Sequence, residues 1–267
     1  FRFEGNSAHA AAAPERGRSA LDGVEAMNIM VNMMREHTTE PTRIHYVITA
    51  GGNAPNIVPR FAEVYYVVRH EDVDEVRSVW NRVVKTAEAA ALGTETLMTY
   101  EIIGGTYPRL PNEVIAGALH ANLTEVGGVD YTEDERIFAE QIQETLGSDV
   151  PAIESAAEVQ PMVFTRGKAS ADTGAVSWTV PMAAMRAATW VPGTPAHSWQ
   201  AVAAGGMSIG YKGMMVAAKT LALTAVDLFT QPALLAAARV EYQERIGPDF
   251  RYVALLGDRE PALNYRR

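Results

Sequence analysis

Two histidines lie in loops built from small residues, and they are the side chains of this sequence best placed to do chemistry. His9 lies in the segment from Gly5 to Asp22, G-N-S-A-H-A-A-A-A-P-E-R-G-R-S-A-L-D, and His197 lies in V-P-G-T-P-A-H-S-W-Q. Loops of this composition present side chains to solvent instead of burying them. An imidazole there can bind a metal ion, move a proton or donate a hydrogen bond. The residues alone support a structural role for each histidine about as well as a functional one.

Three further side chains in loop-like segments could bind a substrate. Asp172 lies in K-A-S-A-D-T-G-A-V-S-W, where it forms either an Asx turn or one wall of a pocket. Asn56 lies in G-G-N-A-P-N-I-V-P, which is either a hairpin loop or a binding site for a substrate's carboxylate or carbonyl. Arg109, in T-Y-P-R-L-P-N, either clamps a carboxylate with two parallel hydrogen bonds or holds a linker in place.

The composition limits the chemistry that these residues can support. The sequence has 267 residues and no cysteine, so disulfides, thiolate catalysis and Cys-ligated metals are excluded. A metal site must therefore use histidine and carboxylate ligands. The formal net charge of −9 argues against a nucleic-acid partner, because phosphate binding needs a basic surface. The lack of cysteine also fits a cytoplasmic protein.

An apolar run from Gly205 to Phe229 is predicted to be a buried helix. The run carries Lys212, Lys219 and Asp227, and charged side chains are costly in the middle of a bilayer. We therefore expect this segment to lie in a protein core, and we expect no membrane partner.

The elements that position the candidate residues begin with strand, helix, strand, strand, helix and strand. Helices are predicted from Ala20 to about His37 and after Glu71-Asp72, because apolar residues recur there at helical spacing. Four strands are rich in β-branched and aromatic residues. They are predicted at Phe1–Glu4, Arg43–Ala50, Phe61–Arg69 and Thr94–Ile103. Residues 1–105 therefore predict a two-layer β-α-β-β-α-β domain.

Residues 106–267 show a different pattern, with several helices and few strands. Helical patterns at Asn112–Val126 and Thr132–Leu146 are separated by a Gly-Gly-Val-Asp turn. We therefore predict a second domain in this half. Its pattern indicates part of an α/β domain whose central strands precede Phe1.

Four separated motifs occur in an order that resembles a known enzyme family. G-N-S-A-H-A-A-A-A-P-E-R-G-R-S-A-L-D, G-G-N-A-P-N-I-V-P, S-A-D-T-G-A-V-S-W and G-T-P-A-H-S-W-Q resemble landmarks of zinc-dependent aminoacylase/carboxypeptidase-type amidohydrolases, a metallopeptidase family. The sequence is similar in particular to the aminobenzoyl-glutamate hydrolase branch, and within it to the B-type subunit. The resemblance implies an α/β catalytic domain interrupted by a ferredoxin-like lid that mediates dimerisation. Residues 1–105 match the lid, and residues 106–267 match the C-terminal part of the catalytic domain.

The resemblance also implies a role for each candidate residue. His9 matches a histidine that reaches from the lid into the partner subunit's active site and stabilises the oxyanion of the tetrahedral intermediate. His197 matches a metal ligand. Asn56 matches a lid asparagine that contacts substrate across the dimer. Arg109 matches only loosely, and Asp172 resembles a pocket residue; both are substrate-binding candidates.

The sequence departs from the family in its metal ligands. The family's other ligands, an H-x-D pair and two consecutive glutamates, lie upstream of the lid, and one glutamate is the general base. No Glu-Glu pair occurs here, and a single histidine cannot hold a catalytic zinc, which takes about three protein ligands. We therefore expect a fragment that is inactive alone, from a longer enzyme with two zinc or manganese ions.

These observations predict a metal-dependent amidohydrolase that cleaves an amide bond of an N-acyl amino acid or an aminobenzoyl-glutamate-like substrate. The partners implied are this small-molecule amide and a second copy of the chain, which forms a homodimer through the lid. Whether a companion subunit is needed is left open. The alternative from another functional class is a non-catalytic dimerisation and interaction module.

Overall fold

A four-stranded antiparallel sheet and two long helices make up the N-terminal unit. The computed structural model describes residues 1–164 and 171–257, and its contacts divide them into two units. The first covers residues 1–109 with 171–175 and 253–257, and the second covers 110–164 and 176–252. The main elements of the first unit are β1 (Arg2–Glu4), α1 (Ala20–Arg35), β2 (Arg43–Ala50), β3 (Phe61–Arg69), α2 (Val73–Thr94) and β4 (Leu97–Thr99).

The sheet has the strand order β2-β3-β1-β4, and neighbouring strands are antiparallel. Arg2 of β1 pairs with Glu63 of β3 on one side and with Thr99 of β4 on the other. The predicted β-α-β-β-α-β arrangement is confirmed. The last strand is shorter than the predicted Thr94–Ile103, because α2 continues to Thr94 and Glu95 ends it in a left-handed conformation with φ of 53°.

Local sequence signals explain where the two helices begin. The Ser19 side chain accepts a hydrogen bond from the Asp22 N–H at the start of α1, and Asp72 accepts from the N–H groups of Asp74 and Glu75 at the start of α2. One face of each helix packs on the sheet. The buried side chains of this core include Phe3, Val24, Met27, Val31, Val64, Val79 and Val83.

The second unit is helical over its described residues, which contain no strand. Predicted helices at Asn112–Val126 and Thr132–Leu146 are present, with Asn112 and Thr132 as their N-caps. The α-helices after residue 110 are α3 (Glu113–Val126), α4 (Glu133–Glu144), α5 (Thr173–Ser177), α6 (Trp199–Gly205), α7 (Ser208–Thr230) and α8 (Pro232–Ile246).

The apolar run predicted to be a buried helix forms α7 together with the end of α6, but the prediction of burial is wrong for most of it. Only 17% of the apolar window in α7 is buried. One stripe that includes Ile209, Gly213 and Thr220 packs inward, while Phe229 is 89% exposed. The composition of the run indicated an apolar helix, but its neighbours α3, α6 and α8 cover one side only.

Among the described residues, α7 is also the one helix that is long and apolar enough to cross a membrane. The helix has 23 residues and a mean hydropathy of 1.3, and the core helices of soluble proteins can reach the same length and hydropathy.

An ion pair between a buried glutamate and a partly exposed lysine joins α4 to α7 in the second unit. The Glu135 carboxylate is 5% exposed and lies 2.6 Å from Lys212 Nζ. Burial opposes ionisation of Glu135, but hydrogen bonds from Lys212, Ser208 and the Thr132 N–H outweigh it and lower its pKa to about 2. The Thr132 hydroxyl in turn accepts from the Glu135 N–H, which completes a capping box.

This ion pair should make the second unit sensitive to acid. The lowered pKa of Glu135 means that its stabilisation is complete above the unfolded value of 4.5 and is lost as pH falls towards about 2. We expect the free energy of unfolding to fall over that window by about 2 kcal/mol from this group. Urea titrations across the window should show a shallower pH dependence for Glu135→Gln than for the unmodified chain. The matched substitution Glu133→Gln, on the same helix, should keep the original slope; equal slopes for Glu135→Gln and the unmodified chain would contradict the assignment.

Candidate functional site

The loop that carries His9 is held in place by backbone hydrogen bonds to the loop before β3. The Gly5 N–H donates to the Arg60 carbonyl at 2.7 Å, and the Val58 N–H donates to the Ala8 carbonyl at 2.9 Å. Gly5 is required there, because a Cβ at this position would lie 1.9 Å from the Arg18 carbonyl oxygen. The His9 loop and the loop before β3, residues 5–18 and 51–60, are therefore held together by backbone hydrogen bonds. We call this pair of loops the His9 platform.

The orientation of the His9 ring follows from two backbone donors. The N–H groups of Ala11 and Ala12 both donate to Nδ1 of His9, at 3.2 and 3.1 Å. Because Nδ1 is an acceptor, the neutral imidazole carries its proton on Nε2. His9 is exposed, so this Nε2–H group is available to donate a hydrogen bond to a ligand.

Asn56 is the candidate residue that the structure brings next to His9. The Asn56 carbonyl accepts a hydrogen bond from the Ala10 N–H at 3.0 Å, and His9 forms an isolated β-bridge with Ile57. The Asn56 side chain is exposed. Two predicted site residues that are 47 positions apart in the sequence therefore lie on the same pair of loops. One supplies an imidazole donor and the other a carboxamide.

His197 lies in the second unit, directly before α6, and it is exposed. Its φ of 61° places it in the left-handed region, which is uncommon for a residue other than glycine. The next residue, Ser198, is the N-cap of α6: its hydroxyl accepts from the Ala201 N–H at 3.2 Å and donates to the Pro195 carbonyl at 2.7 Å. Strained backbone held by surrounding hydrogen bonds is common at ligand-binding positions.

Arg109 and Asp172 are exposed residues of the first unit. The Asp172 carboxylate accepts a hydrogen bond from the Thr173 N–H at 3.0 Å, so it takes part in a local turn. Gly174 then packs so closely on the chain that a Cβ would lie 1.9 Å from the Tyr107 carbonyl oxygen. Within the described part of the chain, no hydrogen bond joins Arg109 or Asp172 to the His9 loop.

The described residues do not assemble a metal site. Among residues 1–164 and 171–257, no group of three or more His, Asp or Glu side chains is close enough to hold a metal ion. One H-x-D triplet does occur, His70-Glu71-Asp72, but it caps α2: Nδ1 of His70 accepts from the Asp72 N–H at 2.8 Å. The residues present therefore do not fit a zinc centre, since His197 stands without the two further ligands that zinc needs.

The first unit is similar in sequence to a known domain family. Residues 1–95 match the model of the M20 peptidase dimerisation domain, and they have the strand order described above. Residues 1–95 are thus similar to M20-type dimerisation domains. The family resemblance predicted from the four sequence motifs is confirmed.

Two curated relatives align with most of the chain. It is 38% identical over 270 residues to the B-type subunit of p-aminobenzoyl-glutamate hydrolase from Escherichia coli, an alignment that covers 91% of this chain and 56% of that protein. It is 27% identical over 245 residues to mouse Xaa-Arg dipeptidase, with 91% of this chain and 50% of that protein covered. The chain thus spans about half the length of the curated relatives it matches.

Several solved structures are similar over part of the chain. The aminobenzoyl-glutamate utilization protein of Klebsiella pneumoniae superposes with a TM-score of 0.42 at 25% sequence identity, covering 48% of this chain and 33% of that protein. The M20-type dimerisation domain reported above contains both His9 and Asn56.

Sequence reasoning identified His9 but not the two backbone donors that fix its tautomer. The run of small residues after His9 was the available signal, since only a tight turn lets the N–H groups of Ala11 and Ala12 reach back to the ring. Trp199, which is 61% exposed and lies two positions after His197, was not among the residues predicted from the sequence.

Proposed function

We propose that the whole protein is a metal-dependent amidohydrolase that cleaves an amide bond of an N-acyl amino acid or an aminobenzoyl-glutamate-like substrate. The observation that carries the proposal is the His9 platform: a rigid loop presents an Nε2–H donor in the M20-type domain. The 38% identity to a subunit of p-aminobenzoyl-glutamate hydrolase, over 91% of the chain, supports the same chemistry.

In this proposal His9 donates a hydrogen bond to the oxygen that becomes negatively charged when the amide carbonyl is attacked. A donor that is already oriented loses no reorganisation energy at the transition state, and this makes it effective. Nδ1 is occupied by two backbone N–H groups, so the ring cannot turn its other nitrogen towards the substrate without losing both hydrogen bonds. The platform therefore favours a donor role for His9 over a general-base role.

Three other residues contribute to substrate binding in the proposal. Asn56 supplies a carboxamide beside His9, which suits a substrate carbonyl or carboxylate. Arg109 supplies an exposed guanidinium, which suits a carboxylate of the amino-acid half of the substrate. Asp172 is proposed as a pocket residue beside the turn that it forms with Thr173.

His197 is proposed to be a metal ligand in the whole protein, with zinc or manganese in a two-metal site. A single histidine is not enough for zinc, so the other ligands and the general base are proposed to come from residues outside this sequence. The chain covers 56% and 50% of the length of its two relatives, so the proposed ligands and general base can lie in the part of the protein that corresponds to the rest of these relatives. The sequence given is therefore proposed to bind metal weakly and to be inactive alone. Its expected location is the cytoplasm.

Dimerisation is proposed to use the edge strand β2. This strand lies at one end of the sheet, and Tyr46, Val47 and Ile48 in it are 38, 55 and 40% exposed. An edge strand with exposed apolar side chains pairs readily with a second copy of itself. Exposed Ile29 and Met33 of α1, at 55 and 66%, offer further apolar surface. A companion subunit is a second proposed partner, since the relative from Escherichia coli is itself named as one subunit of its hydrolase.

A charge placed on β2 should weaken this dimer. We expect Val47→Lys to raise the dimer dissociation constant by about tenfold or more, because the lysine would have to be buried or to disrupt strand pairing. Sedimentation equilibrium on the chain would measure the change. Leu97→Lys on β4, the opposite edge and 74% exposed, is the matched control and should leave the dimer intact. Dissociation by Leu97→Lys but not by Val47→Lys would place the interface on β4 instead.

A non-catalytic dimerisation module is the second candidate function. The observation that favours it is the absence of a metal-ligand cluster within the described residues. The experiment that separates the two candidates is a substrate panel of N-acyl amino acids offered to the whole protein, with zinc or manganese added and with metal removed. Metal-dependent release of the free amino acid supports the amidohydrolase. Stable dimers without release from any panel member support the module.

A further inference from the structure

The His9 loop begins and ends at one point, because its two ends are paired with each other. Asn6 and Arg18 form an isolated antiparallel bridge, in which the N–H of each residue donates to the carbonyl of the other at 2.9 Å. Residues 7–17 therefore form a compact surface loop of the Ω type, a kind of loop that often carries functional side chains. Arg18 is the residue at which this loop closes.

The Arg18 side chain ties the closed end of the loop to two further places. Its Nη1 donates to the Gly17 carbonyl at 2.7 Å and to the Glu15 carbonyl at 3.2 Å, in the turn before it. Its Nε lies 2.5 Å from a carboxylate oxygen of Glu95, at the end of α2. A guanidinium suits this task, because its N–H groups have fixed directions in one plane.

Glu95 has an uncommon backbone conformation at the position where it meets Arg18. Its φ of 53° lies in the left-handed region, which glycine adopts at helix ends without steric cost. The N–H groups of Glu95 and Thr96 both donate to the Ala91 carbonyl, and these hydrogen bonds hold the strained conformation. Strained residues are frequent at functional positions. A glutamate here, where glycine fits better, indicates a use for its carboxylate beyond the helix end.

The ion pair between Arg18 and Glu95 is too exposed to contribute much to stability. The two side chains are 38 and 67% exposed, and exposed pairs add little to the free energy of unfolding. A pair of this kind can still fix the direction of a short segment that has few other contacts. We therefore expect its effect on the arrangement of the His9 loop and not on the stability of the first unit.

The backbone donors that hold the His9 ring lie between the two fixed parts of the loop. Before them, the Ala10 N–H is bonded to the loop that precedes β3. After them comes the turn that the guanidinium holds. The N–H groups of Ala11 and Ala12, at 3.2 and 3.1 Å from Nδ1 of His9, therefore depend on both parts. If the turn is released, these two N–H groups are free to move away from the ring.

We propose that Arg18 is a positioning residue, which acts through the two backbone donors to keep the His9 ring in one orientation. Glu95 is its anchor at the end of α2. The catalytic part of this inference rests on the proposed amidohydrolase function, in which Nε2–H of His9 donates to the oxyanion. The orientation of the ring is independent of that function and is measured by itself.

The first test measures the freedom of the His9 ring by chemical modification of the whole protein. Diethyl pyrocarbonate acylates the imidazole nitrogen that carries no proton, and in His9 this nitrogen is Nδ1, which accepts from two N–H groups. Arg18→Ala should raise the acylation rate of His9 about tenfold, because the loss of these hydrogen bonds frees the lone pair. Mass spectrometry of the peptides gives the rate, with the exposed His37 as internal reference.

Two further variants make this test specific. Arg16→Ala removes another guanidinium of the same loop, 82% exposed, and should leave the acylation rate of His9 unchanged. Glu95→Gly removes the carboxylate but suits the left-handed backbone, so the rate should rise while the melting temperature changes little. A role of Glu95 in the helix end alone would leave the rate unchanged. An unchanged rate in Arg18→Ala or in Glu95→Gly, or an equal rise in Arg16→Ala, overturns the proposal.

Steady-state kinetics with N-acyl amino acids on the whole metal-loaded protein tests the catalytic part. Arg18→Ala should lower kcat about tenfold with little change in KM, because the donor is still present but no longer held in place. Arg18→Lys keeps the charge without the planar fork and should recover part of the rate. An unchanged kcat beside a raised acylation rate overturns the catalytic part. If the unmodified protein releases no amino acid, the proposed amidohydrolase fails, and the acylation rates still decide whether Arg18 orients His9.

Discussion

Replacing His9 with alanine should lower kcat of the whole metal-loaded protein by about 10²–10³-fold, which is the usual loss when one oxyanion donor is removed. The reason is the fixed tautomer: Ala11 and Ala12 hold Nδ1, and the donor on Nε2 has no substitute in the alanine variant. KM should change much less than kcat, because the hydrogen bond strengthens only as negative charge develops on the carbonyl oxygen. Steady-state kinetics on an N-acyl amino acid would measure both constants.

Two further variants control this result. His37→Ala removes another exposed histidine, at the end of α1, and should leave kcat unchanged. His9→Gln keeps an N–H donor at a similar reach and should recover part of the lost rate. Metal content should match the unmodified protein in all three, since His9 is not proposed to bind metal. A His9→Ala protein that keeps full kcat would remove His9 from the mechanism.

Replacing Phe3 with alanine should give the largest loss of stability, about 3–5 kcal/mol in the free energy of unfolding of the first unit. Phe3 lies at the centre of β1, fully buried, with its ring packed on α1 so closely that a Cβ at Gly23 would lie 2.5 Å from it. The neighbouring backbone cannot collapse into the space left behind, because β1 is paired on both sides. Urea titration followed by far-ultraviolet circular dichroism would measure the loss.

Phe61→Ala is the matched control for this substitution. Phe61 lies opposite Glu4 in the same sheet but is 42% exposed, so its removal should cost well under half as much. Similar losses for the two variants would mean that Phe3 is not at the centre of the core.

The sequence was sufficient to predict the first unit because several local signals agree there. Apolar residues alternate in β3 and recur at helical spacing in α1, and Ser19 and Asp72 mark the helix starts. These signals depend on neighbours along the chain, so no tertiary information is needed to read them. The end of α2 was harder to predict, because a glutamate rarely adopts the left-handed conformation that Glu95 has here.

Features that depend on distant contacts were not accessible from the sequence. The apolar run of α7 looks the same whether one side or all sides are covered, and the number of packing partners decides how much of it is buried. The tautomer of His9 likewise depends on where two backbone N–H groups point. Asn56 was a candidate from composition, but its place beside His9 follows from the pairing of two loops.

Mixed dimers test most directly the proposal, implied by the family resemblance, that His9 of one subunit acts at the site to which His197 of the other subunit belongs. Two forms of the whole protein, His9→Ala and His197→Ala, are each expected to be inactive and are then mixed in equal amounts to allow subunit exchange. Half of the dimers should then be mixed, each with one complete site, which restores about a quarter of the unmodified activity. Mixed dimers, verified by mass, that release no amino acid would contradict the account.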